Sequence, residues 1–149
     1  MENDDELNSL KELISKQLKF PKSLNYKKLT KGGINSKRDI TKESFIKDCP
    51  FTLKSEITQD HLESPPFGSN LTCNINSYTK LTKTSGTTGN SISWIDTNDD
   101  WNSMLDAWSI IFDRANIERT KDRLFFAFSF GPFLGFWTAY EAATKLSFM

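Results

Sequence analysis

Apolar residues recur along this chain with two different periods, and where the period changes sets the expected order of elements. Leu7, Leu10, Ile14 and Leu18 stand at helical spacing and predict a first helix ending near Phe20-Pro21. Lys31-Gly32-Gly33 marks a loop, Thr41 to Lys47 a short helix before the Pro50-Phe51 turn, and Ser64-Pro65-Pro66-Phe67-Gly68 another irregular connection. Short strands are predicted over Tyr78 to Lys83 and Ser91 to Ile95. The clearest helix follows. Thr97 can cap it, with Asp100 three residues on in capping-box fashion, although Asp has a shorter reach than Glu or Gln. Trp101, Met104, Leu105, Trp108, Ile111, Phe112 and Ala115 form one stripe on that helix, which reads as core.

Beyond it, Leu124 to Phe130 is a continuous apolar run, as expected of a strand buried on both faces of a parallel sheet. Gly131-Pro132 breaks the run, and Phe133, Phe136, Trp137 and Tyr140 then recur at helical spacing through Lys145. Leu146-Ser147-Phe148-Met149 reads as the beginning of the next strand. A βαβ unit stopping there leaves an apolar face unpaired, so the expectation is a fragment of an α/β fold. No charge lies between Arg123 and Glu141, and the run approaches a membrane-spanning length. Ser129, Gly131 and Pro132 at its centre, and its phenylalanine-rich first half, favour a soluble strand and helix instead. The acidic start Met1-Glu2-Asn3-Asp4-Asp5-Glu6 is unlike a secretory leader, so the expected location is the cytoplasm.

Charge changes this picture little. The 149 residues carry 19 basic and 19 acidic side chains, which gives no general pull toward nucleic acid or membranes. Lysines dominate from Lys11 to Lys42, but aromatic interleaving is limited to Phe20 and Tyr26 there, and a solvated basic surface is the better reading than a nucleic-acid arm. Cys49 and Cys73 are too few for a disulfide framework and, even with His61 between them, are not spaced as a zinc site. They read as free thiols, and no metal-ligating set is assigned. His61 is the only histidine, and nothing near it supports a nucleophilic triad. No internal repeat is present.

The chemistry concentrates in Lys83-Thr84-Ser85-Gly86-Thr87-Thr88-Gly89-Asn90. Glycine allows the backbone N–H groups to approach an anion, and small hydroxyls add rotatable donors, so the run outlines a phosphate-gripping loop. It is not a Walker A loop, because Asn90 stands where lysine is required. Nor is it a dinucleotide fingerprint, since Thr84 replaces the first glycine. Alone, such a run is more often a plain turn, and the flanking residues decide.

Those flanks resemble the phenylacetate-CoA ligase family of adenylate-forming enzymes. Cys49-Pro50-Phe51-Thr52-Leu53-Lys54-Ser55-Glu56-Ile57 is similar to that family's P-F-T-x-K segment, and Pro66-Phe67-Gly68 to its next landmark. Thr84-Ser85-Gly86-Thr87-Thr88-Gly89 resembles its S-S-G-T-T-G nucleotide loop, and Ala127 to Gly135 falls where the family carries an aromatic, glycine-rich strand-to-helix turn. The resemblance covers about residues 45–149. It implies an α/β fold, the N-terminal portion of the large domain of an adenylate-forming enzyme, truncated, with helices on a mostly parallel sheet. Residues 1–44 would then be an N-terminal helical, lysine-rich segment, and 45–149 the incomplete start of the AMP-binding large domain.

The implied reaction is attack of a carboxylate on the α-phosphorus of ATP, giving an acyl-adenylate and pyrophosphate, followed by displacement of AMP by the thiol of coenzyme A. It needs no protein nucleophile, rests on positioning and charge stabilisation with Mg²⁺, and leaves the catalytic residues beyond this chain. The resemblance assigns Ser85, Gly86, Thr87, Thr88 and Gly89 to the β- and γ-phosphates, and Phe128 and Phe133 to the acid pocket; Phe130 shares the face of Phe128 by strand alternation. An aryl acid is the implied substrate, and a homodimer of the full-length protein is compatible with the family. The sequence departs from the family pattern at Phe128 and Ser129, where tyrosine and glycine are common, at Lys80 and Thr82, where arginine and histidine are usual, and at Pro132. These departures bear on the acid more than on ATP. Two alternatives remain open: an adenylyltransferase with another acceptor, and a non-catalytic interaction remnant.

Overall fold

The computed structural model describes residues 2–84, 91–129 and 131–148. The chain folds as two compact units, Met1–Cys73 and Asn74–Met149.

The first unit is helical: α1 (Glu2–Gln17), α2 (Leu24–Lys31), α3 (Lys42–Asp48) and α4 (Lys54–Glu63), with a 3-10 turn at Lys37–Asp39. Ile14, Leu29, Ile34 and Ile40 are its buried core, closed by Leu7, Leu10, Leu18, Phe45 and Cys49. The expected first and third helices are present, while α2 and α4 were not foreseen. Their apolar periods are weak, and side-chain hydrogen bonds supply what periodicity lacks. Ser23 caps α2 by accepting from the Tyr26 amide at 3.1 Å. At the start of α4, Glu56 accepts from the Leu53 amide at 2.7 Å and from Lys28 Nζ. The backbone hydrogen bond and then Lys28 hold the Glu56 carboxyl below its ordinary pKa. Buried Asp60 accepts from the Ser69 amide at 2.7 Å and from its hydroxyl at 2.5 Å, and Ser69 Oγ in turn accepts from the Leu24 amide. Gly68 turns the chain there at φ 75°, where a Cβ would lie 2.6 Å from Asp60 Oδ2. Neither cysteine forms a disulfide, and burial pushes the Cys49 thiol pKa up, away from a reactive thiolate.

The second unit joins β1 (Tyr78–Lys83) and β2 (Ser93–Thr97) in an antiparallel pair and packs it with α5 (Asn98–Arg114) and α6 (Leu134–Lys145). Thr97 caps α5 and forms the expected capping box with Asp100. Trp101, Leu105, Phe112, Ala142 and Ala143 are the buried core, covered by Met104, Trp108, Trp137 and Phe148 among others. Ile111 and Ala115, expected in the same stripe, are exposed. The α/β class stands. However, the ladder found among the described residues is antiparallel, and the parallel element is a single bridge between Lys83 and Phe133.

Two expectations are corrected. Residues 124–129 carry no ladder: Leu124, Phe126 and Phe128 turn inward while Phe125 is 91% exposed. The segment keeps the two-residue alternation of a strand, but a strand is defined by a partner, and the described backbone offers it none. A continuous apolar run implies burial on both faces, whereas here one face is covered. Leu146–Phe148 likewise closes α6 instead of opening a strand. Ser147 takes φ 60°, its amide bonds the Thr144 carbonyl, and the Phe148 amide bonds that of Ala143. The same arrangement ends α5 at Asn116 (φ 54°) and α2 at Gly33 (φ 85°). No helix among the described residues is long and apolar enough to cross a membrane.

Asp96 on β2 is 6% exposed, and among the described residues its Oδ2 has no hydrogen-bond partner. Burial, reinforced by the Asp100 carboxylate, raises its pKa against a lowering hydrogen bond from Trp94. The folded chain therefore binds this proton more tightly than the unfolded chain. The penalty is absent below the unfolded pKa and grows as pH rises through the raised one. Asp96→Asn is expected to be more stable than wild type at pH 7 by about 1 kcal/mol, with the gap closing in acid. Urea titrations at several pH values measure this, and a pH-independent gap would refute the assignment.

Candidate functional site

The hairpin β1–β2 forms the stem of the candidate phosphate loop. Thr84 and Ile92 close it: the Thr84 amide donates to the Ile92 carbonyl at 3.0 Å, and the Ile92 amide to Thr84 Oγ1 at 3.0 Å. Ser91 Oγ adds a bond to the Thr84 carbonyl at 2.7 Å. The expected second strand begins two residues later than its sequence pattern suggests, because Ser91 and Ile92 are used in this closure. Ser85, Gly86, Thr87, Thr88 and Gly89 lie outside the described residues, as does Phe130.

The turn Gly131-Pro132-Phe133 packs on that stem. The Lys83 amide donates to the Pro132 carbonyl at 2.5 Å, and Phe133 forms the parallel bridge with Lys83. Trp137, in the first turn of α6, donates Nε1–H to the Gly131 carbonyl at 2.8 Å. The structure thus brings the base of the loop and the entrance of α6, fifty residues apart in sequence, into one hydrogen-bonded junction.

Beside it sits an aromatic cluster. The Phe128 ring stacks on Phe136 with centroids 4.5 Å apart and planes 13° from parallel. Phe133 meets Phe136 edge-on at 6.0 Å, and Phe126 meets Phe128 edge-on at 5.8 Å. Phe128 and Phe133, named from sequence as one pocket, are joined through Phe136, whose sequence spacing marks it only as part of a helical stripe. Trp137 has the same helical spacing. The signal for both was present in their positions one turn beyond Gly131-Pro132, but helical periodicity does not distinguish packing from a ring that bonds the preceding turn.

Lys80 and Thr82, the departures on β1, have separate fates. Thr82 is buried. Lys80 Nζ bonds both Glu141 oxygens at 2.7 and 2.9 Å and lies 4.8 Å from the Trp101 ring centroid. Glu141 also accepts from Trp101 Nε1 at 2.7 Å, so one carboxylate ties β1, α5 and α6 together. Among the described residues, no group of three or more His, Cys, Asp or Glu side chains could hold a metal ion.

No family model matches this sequence, and no curated protein matches it either. Solved structures do. This chain is similar to 2-hydroxyisobutyryl-CoA ligase in complex with 2-HIB-AMP and CoA in the thioesterification state, with TM-score 0.86 and 21% identity over 98% of this chain and 30% of that chain. It is similar to the same ligase in the postadenylation state with 2-HIB-AMP, at TM-score 0.85 and 19% identity over 97% and 30% of the two chains. The open conformation gives TM-score 0.82 and 20% identity over 97% and 33%. At these identities the likeness is one of fold: this α/β chain has the fold of the N-terminal part of such a ligase. It spans about a third of the length of the ligases it matches.

The Glu141 carboxylate gives a test of the packing behind the site. Glu141→Ala strands Lys80 and the Trp101 indole together and is expected to cost about 2–3 kcal/mol, whereas Lys80→Met leaves Glu141 with its indole donor and should cost about 1 kcal/mol. Chemical denaturation of both variants decides the order, and two losses within 0.5 kcal/mol of wild type would make this an ordinary surface pair.

Proposed function

We propose that this chain is the nucleotide-loop portion of an ATP-dependent acid–CoA ligase, in which the carboxylate attacks the α-phosphorus of ATP and coenzyme A then displaces AMP. One observation carries the reading. The hydroxyl- and glycine-rich sequence 85–89 lies between the two ends of a closed hairpin stem, in a chain whose fold follows an acyl-CoA ligase over nearly all its length. Residues 45–149 would begin the AMP-binding large domain, with 1–44 as a helical segment before it.

Ser85, Gly86, Thr87, Thr88 and Gly89 would surround the β- and γ-phosphates with amide and hydroxyl donors that stabilise the departing pyrophosphate. Mg²⁺ would arrive with the nucleotide and neutralise phosphate charge. Phe128 and Phe133 would flank the acid. The Phe128 and Phe136 rings stand 4.5 Å apart, in direct contact, so an acid of either kind, aryl or aliphatic, would meet their outer faces and edges and not enter between them. The matched ligase is named for 2-hydroxyisobutyryl-CoA, a short aliphatic acyl group, whereas the sequence resemblance implies an aryl acid. An adenylyltransferase with another acceptor would use the same residues.

Calorimetric titration of the chain with MgATP tests the reading, with Thr87→Val as the diagnostic variant. It removes a hydroxyl donor while keeping side-chain shape, so affinity is expected to fall about tenfold or more with an unchanged circular dichroism spectrum. Equal affinity in the two proteins would take the loop out of nucleotide binding and favour the interaction-remnant reading.

A further inference from the structure

We infer that Trp137 is a positioning residue for the phosphate loop, acting through the Gly131–Phe133 turn; the inference rests on the nucleotide role proposed for residues 85–89. Two hydrogen bonds and one peptide link form a chain. The Trp137 indole N–H holds the Gly131 carbonyl at 2.8 Å, the next carbonyl, that of Pro132, accepts the Lys83 amide at 2.5 Å, and Lys83 directly precedes the loop closure at Thr84. Fixing the Gly131 carbonyl fixes the plane of the peptide that enters Pro132. The pyrrolidine ring then locks φ of Pro132, leaving ψ as the one torsion that aims its carbonyl, and the bridge between Phe133 and Lys83 restrains that torsion from the other side. The indole anchor therefore sets where Lys83, the last residue of β1, lies.

The anchor itself is firm. Trp137 sits in the first turn of α6 and packs against the core of Trp101, Leu105, Phe112, Ala142 and Ala143. A donor mounted on a packed helix positions a loop better than one mounted on another loop. Phosphate affinity depends on several backbone amides converging at once, so a shift of the stem is felt by all of them together.

Trp137→Phe removes the N–H and keeps an aromatic body. Trp108→Phe is the matched control, because it loses an equivalent bond, Trp108 Nε1 to Thr138 Oγ1 at 2.9 Å, and packs on the same core. Pro132→Gly is a second variant, at an exposed residue, that loosens the transmission without touching the core. Two readouts are taken on the intact chain: amide hydrogen exchange at Lys83 and the MgATP dissociation constant. Trp137→Phe and Pro132→Gly are expected to speed Lys83 exchange at least tenfold and weaken MgATP about three- to tenfold, with Trp108→Phe leaving both near wild type. Unchanged Lys83 exchange in Trp137→Phe, or equal effects in Trp137→Phe and Trp108→Phe, would overturn the assignment. A wild-type chain that binds no MgATP would overturn the phosphate reading and the nucleotide role of Trp137 with it. Lys83 exchange would distinguish that result from failure of the clamp itself.

Discussion

A hairpin stem can serve the sequence it carries only if the two ends it presents are held at a fixed separation. Here the ends are fixed by three hydrogen bonds between Thr84 and the pair Ser91-Ile92, above a ladder running from Lys83–Ser93 down to Tyr78–Thr97. Two short strands alone are marginal in water. The pair persists because α5 packs against both strands and Lys80 is tied to Glu141 on α6. The second unit can be viewed as a mount for that stem.

Glu141 is the centre of the mount, since it accepts from Lys80 and from Trp101 at once. In a half-buried setting, a carboxylate that accepts from both a charged and a neutral donor has its desolvation offset. The residues that depart from the family pattern on β1 are thus absorbed into structure: Lys80 by this pair, Thr82 by burial. They need not touch a ligand for their identity to matter.

Much of this was legible in the sequence, for a physical reason that can be named residue by residue. Helix α5 declares itself twice, through Thr97 with Asp100 at its start and through Trp101, Leu105 and Phe112 on one face, and both local signals agree with the fold. Helix α6 declares itself through the break at Gly131-Pro132. Helix α4 does not, because its residues are mostly polar and its start is held by Glu56 reaching back to Leu53, a contact made from a position with no hydroxyl cap. Residues 124–129 misled for the opposite reason. Their composition records a tendency to be buried on two faces, but pairing is a property of the neighbour, and composition is silent about the neighbour. The loop 85–89 was the plainest motif in the chain. Its stem could be anticipated from β-propensity on either side, whereas the Lys83–Pro132 junction could not, since nothing local links residues so far apart.

That junction places the two halves of the proposed chemistry on one support. Phe133 is both the residue preceding α6 and the bridge partner of Lys83, and its ring contacts Phe136, on which Phe128 stacks. A carboxylate settling against these rings would press on a segment whose backbone is bonded to the base of the phosphate loop. Packed aromatic clusters do not deform continuously; they hold or they rearrange. In the proposed reaction, which would bring an acid oxygen in line with a phosphorus, such stiffness between the two proposed sites would be useful in itself, because an error of about an ångström between them would cost on the order of a hundredfold in rate. The short path from Phe133 through Lys83 to Thr84 would place that distance under the control of backbone hydrogen bonds instead of long side chains.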